Sequence, residues 1–362
     1  MRVARISGCG ICLLLWSLGA TALAEPLVRV SLGAFNQGIE IQGTRLRCQG
    51  LGRSGRGHDQ VQVVLKTRKP GSRPVECRSE NGLLEVEGRP YRGSIRITGG
   101  PEPLLINVVG LDDYLAGVIN NEISSAWPVE AVKAQAILAR TYTVYRMGQR
   151  QNLAYDVEAT VRDQVYQGVA SEDDAARSAV AETRGLILTY GGEPIEALYH
   201  SACGGRTESP EWVWGGTAKP YQQSVACGYC EEAPNYFWRY PASGAADPAE
   251  LGKKLGLSEP VLELKILTKT PSGRAAQLRV AGRHSAKVMS GREFREALGG
   301  EAVRSTLFDV QSEPAGFWVM GSGSGHGVGM CQWGARGMAA AGKRSEEILQ
   351  HYFPGTEIQK LD

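Results

Sequence analysis

Over residues 27–109 the apolar positions come in short runs, several of them alternating with polar ones. Residues 27–32, 38–41, 61–65, 83–86 and 94–97 carry the pattern and are broken by Gly, Pro, Arg and Asn. Alternation gives each strand one apolar face, so this part of the chain predicts β structure. Residues 104–109 add a strand that is apolar throughout, and the Gly- and Arg-rich stretch 52–59 predicts a surface loop.

From Leu111 the period changes. Leu111, Leu115, Val118 and Ile119 recur at helical spacing, with Asp112 or Asp113 placed to cap the start. A second helix is expected from Pro128 to about Arg146, rich in alanines that favour helix and close packing. A third covers 172–184 and stops at Gly185. Residues 186–190 and 195–199 predict a hairpin about Gly191-Gly192. Beyond it come helical composition at 242–256, strands at 261–268 and 276–280, a short helix at 291–298 and a strand around 318–320. Glycine dominates 321–329, which predicts a loop, and a last helix runs over 345–352 before Pro354. The expectation is an α+β fold. It has a β-rich N-terminal part at 25–110 and a helical core at 111–240, the catalytic one if the chemistry below holds. A smaller α/β lobe at 241–317 is inserted before a Gly-rich loop and helix at 318–362 that return to the core.

The first 24 residues stand apart. Arg2 and Arg5 precede an apolar core at 11–18, and Ala22-Leu23-Ala24 fits a cleavage site. That predicts a secretory signal peptide, hence an exported chain in the periplasm or cell exterior that starts at Glu25. A lipid anchor at Cys9 is disfavoured because no apolar stretch precedes it. No later run is long enough to span a bilayer. The net charge is +2, with 22% charged and 42% hydrophobic residues, an ordinary globular composition that offers no basic patch for nucleic acid. Of eight cysteines, Cys9 and Cys12 leave with the leader. Cys48 and Cys77 share the N-terminal segment and are the natural disulfide pair in an oxidising compartment; the alternative is two buried free thiols.

Three places can carry chemistry. Glu122 continues the apolar stripe of the first helix, where partial desolvation would raise its pKa toward that of a general acid. The bland alternative is a solvated Glu on a frayed last turn. His200-Ser201-Ala202-Cys203 and Cys227-Gly228-Tyr229-Cys230 are two ligand pairs that together suit a closed, structural zinc site made of His200, Cys203, Cys227 and Cys230. The alternative is disulfides or redox cysteines. His326 sits among glycines at 321–329, so its ring could reach into a cleft, or merely stand solvated on a turn.

At these places the sequence resembles the SpoIID/LytB family. The resemblance rests on Leu111-Asp112-Asp113-Tyr114-Leu115-Ala116-Gly117-Val118, on Asn121-Glu122-Ile123, on Trp127-Pro128 with the helix behind it, and on Ala139-Arg140-Thr141-Tyr142. It continues through Gln164-Val165-Tyr166-Gln167-Gly168, Tyr199-His200-Ser201 and Gly204-Gly205-Arg206-Thr207. Arg304-Ser305-Thr306, Gly325-His326-Gly327-Val328-Gly329-Met330 and Tyr352-Phe353-Pro354-Gly355-Thr356 complete it. It implies a lytic transglycosylase that cleaves the β-1,4 bond between N-acetylmuramic acid and N-acetylglucosamine in peptidoglycan strands lacking stem peptides, closing a 1,6-anhydro ring. The catalytic glutamate falls at the position matching Glu122.

The resemblance also implies zinc in some members, near the motif matching His200. Other members are described as amidase enhancers, so the alternative is a non-catalytic wall-binding protein that activates a cell-wall amidase. Cys331 departs from the family, where Ser is usual, and the Cys227-x-x-Cys230 pair is not general in it. Tyr114, Gln164, Tyr166 and His326 are candidates for positioning the sugar, with Gln332 a further donor or acceptor; each could equally be an internal residue. The Gly-rich loop is expected to line the cleft of Glu122, its glycines letting the backbone approach sugar rings. A second catalytic carboxylate at Asp112 or Asp113 fits poorly, because they lie near the other end of the same helix. A zinc hydrolase at His200 is disfavoured, since three thiolates leave no open position for water.

Overall fold

The computed structural model describes residues 25–35, 38–50, 63–65, 73–99, 102–241 and 244–361. The expected leader and the loop at 52–59 lie outside them. Helices and strands are mixed, in an α+β fold.

An eight-stranded sheet forms the N-terminal part. Its order runs Val63–Leu65, Ile39–Gly43, Val75–Val86, Arg89–Ile97, Leu104–Gly110, Leu27–Ala34 and Val157–Glu158, with Arg47–Gln49 also paired to Val75–Val86. The alternation does what it should: Val28 and Val30 of one strand and Ile95 and Ile97 of another are fully buried. Val75–Val86 is longer than the pattern at 83–86 suggests. Its polar middle is carried across an irregularity in register between Arg78 and Leu83, which absorbs the turn-type residues there. Cys48 and Cys77 face each other on paired strands and are joined by a disulfide.

Eight α-helices follow among the described residues: α1 (Leu111–Glu122), α2 (Val129–Gln149), α3 (Asp174–Glu182), α4 (Pro210–Trp214), α5 (Pro248–Lys254), α6 (Gly291–Leu298), α7 (Gln332–Ala340) and α8 (Ser345–Tyr352). The stripe of α1 packs into the same core as the sheet. Its cap is Gly110, not an aspartate: Asp112 and Asp113 sit inside the first turn, where negative charge suits the helix dipole. Asp112 also pairs with the buried guanidinium of Arg140, which bonds the Val180 and Thr183 carbonyls and so ties α1, α2 and α3 together. α2 is apolar nearly all round because it divides two cores. Val132, Ala136 and Ala139 face the first; Ala134, Ile137, Leu138 and Tyr142 face a second built with α7 and α8.

The hairpin expected at 186–199 is shorter than its apolar pattern. Leu186–Tyr190 pairs with Glu193–Pro194 across the glycines, but the chain then leaves that sheet. Tyr199–His200 pairs instead, in parallel, with Met330–Cys331. A third core fills the lobe between Trp238 and Val319, beneath two three-stranded sheets. Two of its strands, Ala286–Ser290 and Phe308–Glu313, escape sequence patterning because they are short and largely polar. α7 escapes it because Gly334 and Gly337 lower its helix propensity. Among the described residues no helix is long and apolar enough to cross a membrane.

Candidate active site

Glu122 is the last residue of α1, and that end is not frayed. Asn121 donates to the Gly117 carbonyl at 2.8 Å and to the Ser171 hydroxyl at 3.0 Å, pinning the turn to the short 3-10 helix Gly168–Ser171. The carboxyl turns into a cleft of about 470 Å³. Its Oε1 accepts the Val165 amide at 3.0 Å. Burial pushes its pKa above the usual carboxylate range, and the Val165 amide with the Tyr199 and Gln332 side chains pulls only part of the way back. The negative end of the helix dipole acts in the same direction as burial. The result is a carboxyl that holds its proton longer than a free glutamate does, as a general acid requires.

Asp163 is the other carboxylate lining the cleft among the described residues. Its oxygens are already taken by the Tyr142 hydroxyl at 2.7 Å, Arg150 at 2.6 Å, Arg146 at 3.1 Å and the Glu158 amide at 2.8 Å. Three hydrogen bonds, the ion pair with Arg146 and a fully buried side chain make it a structural anchor. Asp112 and Asp113 line a separate hollow of about 530 Å³ at the far end of α1, paired there with Arg184 and Arg177.

Of the residues expected to position sugar, His326 and Gln332 line the cleft and three do not. Tyr114 and Gln164 are wholly buried, and Tyr166 nearly so. The Tyr166 hydroxyl donates to Asn107 at 2.8 Å, and its ring fills the space over Gly117. Tyr114 and Thr143 donate to the Gln164 carbonyl at 3.1 and 2.9 Å, while the Gln164 amide donates to the Tyr199 hydroxyl at 3.1 Å. This buried chain therefore sets Tyr199, which does reach the cleft. Tyr199, the Val165 amide and Trp214 are site residues that sequence reasoning passed over. The one available signal was Tyr199 standing first in its own motif. Trp214 ends α4, is 46% exposed, and packs at a tilt with its ring centroid 5.1 Å from that of His326.

His326 is a clamp within the fold. The Val328 amide donates to its Nδ1 at 3.1 Å, which leaves the proton on Nε2 to be donated to the Tyr199 carbonyl at 2.9 Å. Burial lowers its pKa to about 4, so the ring is neutral at ordinary pH. The glycines around it have a different role from the expected one. At Gly329 a Cβ would overlap the Leu198 carbonyl, and at Gly327 the Arg274 guanidinium. They let the loop lie flush on residues 198–208 of its own chain, where two isolated bridges hold it.

The sulfurs of Cys203, Cys227, Cys230 and Cys331 come within 4.8 Å of one another, all buried. His200 is not among them. Its Nδ1 is committed to the Val328 carbonyl at 3.1 Å and its ring lines the cleft, while Cys331 takes the fourth place, its sulfur accepting the Cys203 amide at 3.2 Å.

Residues 101–190 match the family model described as stage II sporulation protein, and residues 222–329 match a domain of unknown function (DUF8618). The chain is 34% identical to stage II sporulation protein D of Bacillus subtilis over 269 residues, covering 70% of this chain and 76% of that one. It is 32% identical to stage II sporulation protein D of Bacillus amyloliquefaciens over 320 residues, covering 80% and 90%. It is 28% identical to the amidase enhancer of Bacillus subtilis over 333 residues, covering 77% and 45%.

Proposed function

The chain belongs to the stage II sporulation protein D family, and from that premise we propose that it is an exported peptidoglycan lytic transglycosylase with Glu122 as its acid and base. Protonated Glu122 gives its proton to the oxygen bridging N-acetylmuramic acid and N-acetylglucosamine. The bond from that oxygen to muramic C1 breaks, and C1 takes on oxocarbenium character. The same carboxylate then takes the proton of the muramic C6 hydroxyl, whose oxygen bonds to C1 and closes the 1,6-anhydro ring. The proton count closes on one residue, and no water is consumed.

The observation that supports this reading is the pairing of one elevated carboxyl with one occupied carboxylate. A water-using glycosidase places a second free carboxylate across the bond, and Asp163 has no such freedom. Tyr199 and Gln332 line the cleft beside the Glu122 carboxyl and favour its charged form, and the exposed part of Trp214 offers a surface for a sugar ring. The test is mass analysis of products from denuded and from peptide-bearing strands. Anhydro ends, one water lighter than hydrolysed ends, are expected. Ordinary reducing ends would overturn the reading.

The relative named amidase enhancer supports a second reading, a wall-binding activator of an amidase. In that case Glu122→Gln would keep its full effect on an added amidase and no glycan product would appear with either protein.

A further inference from the structure

The densest group of reactive side chains outside the acid's own contacts is the four-thiol cluster. We propose that Cys203, Cys227, Cys230 and Cys331 hold one zinc ion in a closed tetrathiolate site, with Arg274 as its buried counter-charge. The site fastens the strands that carry Tyr199 and Gln332. That fastening matters for catalysis only if Glu122 is the acid, whereas the metal site itself does not depend on that reading.

Four observations carry the proposal. Tetrahedral zinc with bonds of about 2.3 Å sets its sulfurs about 3.8 Å apart. Here all pairs lie within 4.8 Å and Cys203 stands 3.5 Å from Cys230, so small shifts close the tetrahedron. Second, donors converge on the sulfurs. The Cys203 and Gly334 amides both donate to Cys331 at 3.2 Å, and the Tyr352 hydroxyl lies 3.1 Å from Cys227. Such a cage suits thiolates, which accept, and such outer contacts orient metal ligands.

Third, Arg274 is 1% exposed. Its Nη2 donates to the Cys203 carbonyl at 2.8 Å and the Arg206 carbonyl at 3.1 Å, while Nε and Nη1 have no partner among the described residues. It makes no ion pair among them either. The nearby carboxylate of Glu208 favours the cation, but accepts its hydrogen bonds from Thr270, Ser272 and the Ser209 amide rather than from the guanidinium. A buried cation is stabilised by nearby anions, and a zinc tetrathiolate, with its double negative charge, would add to the charge of Glu208. Fourth, Cys227 and Cys230 flank Gly228 at φ +66°, a turn that lets two sulfurs one turn apart face the same point.

The site has a structural consequence. Cys331 caps α7, whose first residue is Gln332, and its strand pairs with Tyr199–His200. One ion would therefore fix both side chains that hold the Glu122 carboxyl from across the cleft.

The experiment is metal analysis of the full exported chain with thiol titration and cobalt substitution. About one zinc per chain is expected. The four thiols should react only after chelation, and the cobalt form should show the intense visible bands of a tetrathiolate. Cys331→Ser should retain less than about a tenth of the zinc after dialysis, while His200→Ala keeps it. Arg274→Met should weaken zinc binding about 10- to 100-fold, with Arg274→Lys partly restoring it. If Cys331→Ser does not fold, zinc content and the cobalt spectrum of the unaltered chain decide. The proposal is overturned by a metal-free native chain, by iron or copper in place of zinc, or by a native disulfide among the four. It is also overturned if His200→Ala loses as much zinc as Cys331→Ser, and the counter-charge role falls if folded Arg274→Met binds zinc unchanged. None of these outcomes bears on whether Glu122→Gln is inactive.

Discussion

The wall of the cleft that carries Glu122 and the wall that carries Tyr199 and Gln332 are held in place by different forces. The first is built from one continuous stretch, α1 to the start of α3. An apolar stripe seats it in the core under the large sheet, and arginine-loaded carboxylates such as Asp163 lock its edges. The second brings together residues 199–203, 227–230 and 325–334, distant segments that meet in the core shared with α2, α7 and α8. It is further held by glycines pressed against backbone, by the two hydrogen bonds of His326 and by the sulfur cluster. Segments this far apart lose more chain entropy when they meet, so point contacts of high strength add to the burial they share. Glu122, the proposed acid, stands on the wall that sequence builds locally. The groups that hold it from across stand on the wall that needs fastening.

The sharpest way to break this contrast is at the acid itself. Glu122→Gln should lower turnover by about 10²- to 10⁴-fold with the fold intact, as circular dichroism would show. Wild-type turnover would remove the special status of that wall. Next in size is Asp163→Asn, which leaves Arg146 and Arg150 without their partner. A loss of about 2–3 kcal/mol in denaturant midpoint with unchanged slope is expected, and a loss of a few tenths would mean that apolar packing alone holds the helical wall. Trp214→Ala probes the rim of the cleft beside His326, where the proposed function puts a sugar ring. Because the ring is half exposed, stability should hardly move, while KM rises three- to tenfold at steady kcat, about 0.5–1.5 kcal/mol of stacking.

The smallest effect is a dependence on pH. Burial raises the folded-state pKa of Glu122 above its unfolded value. Stability from this group is therefore complete below the unfolded value and is lost as pH rises through the folded one. Glu122→Gln escapes that loss. Its melting temperature should exceed the wild type's at neutral pH, and the difference should vanish toward about pH 4. Thermal melts at both pH values check the sign. Turnover of the unaltered chain should fall over the same window as the acid loses its proton.

How far the sequence could be read follows the same division. The stripe of α1 pointed to Glu122, and α6 and α8 stand where their patterns put them. Tyr114 and Tyr166 look like sugar-binding tyrosines until their hydroxyls are seen paired inside the core, a use that spacing cannot reveal. His200 looked like a metal ligand because His-x-x-Cys shares one turn. The chain instead turns that ring to the cleft and brings in Cys331, 128 residues beyond Cys203. Short-range spacing names pairs well and has no access to a partner that arrives through sheet topology. The glycines at 321–329 were legible as a loop, but whether they yield to a ligand or to their own backbone depends on the strand they face.

The parallel pairing of Tyr199–His200 with Met330–Cys331 also sets a schedule. A chain is made from its N-terminus, so Glu122 and its helix can fold long before residue 330 exists. Until then the carboxyl has no opposite face, and neither Tyr199 nor Gln332 is held against it. On the proposed function, a truncated product ending before Met330 is therefore expected to be inert. If the chain cleaves peptidoglycan as proposed, completeness of the polypeptide is its own safety catch.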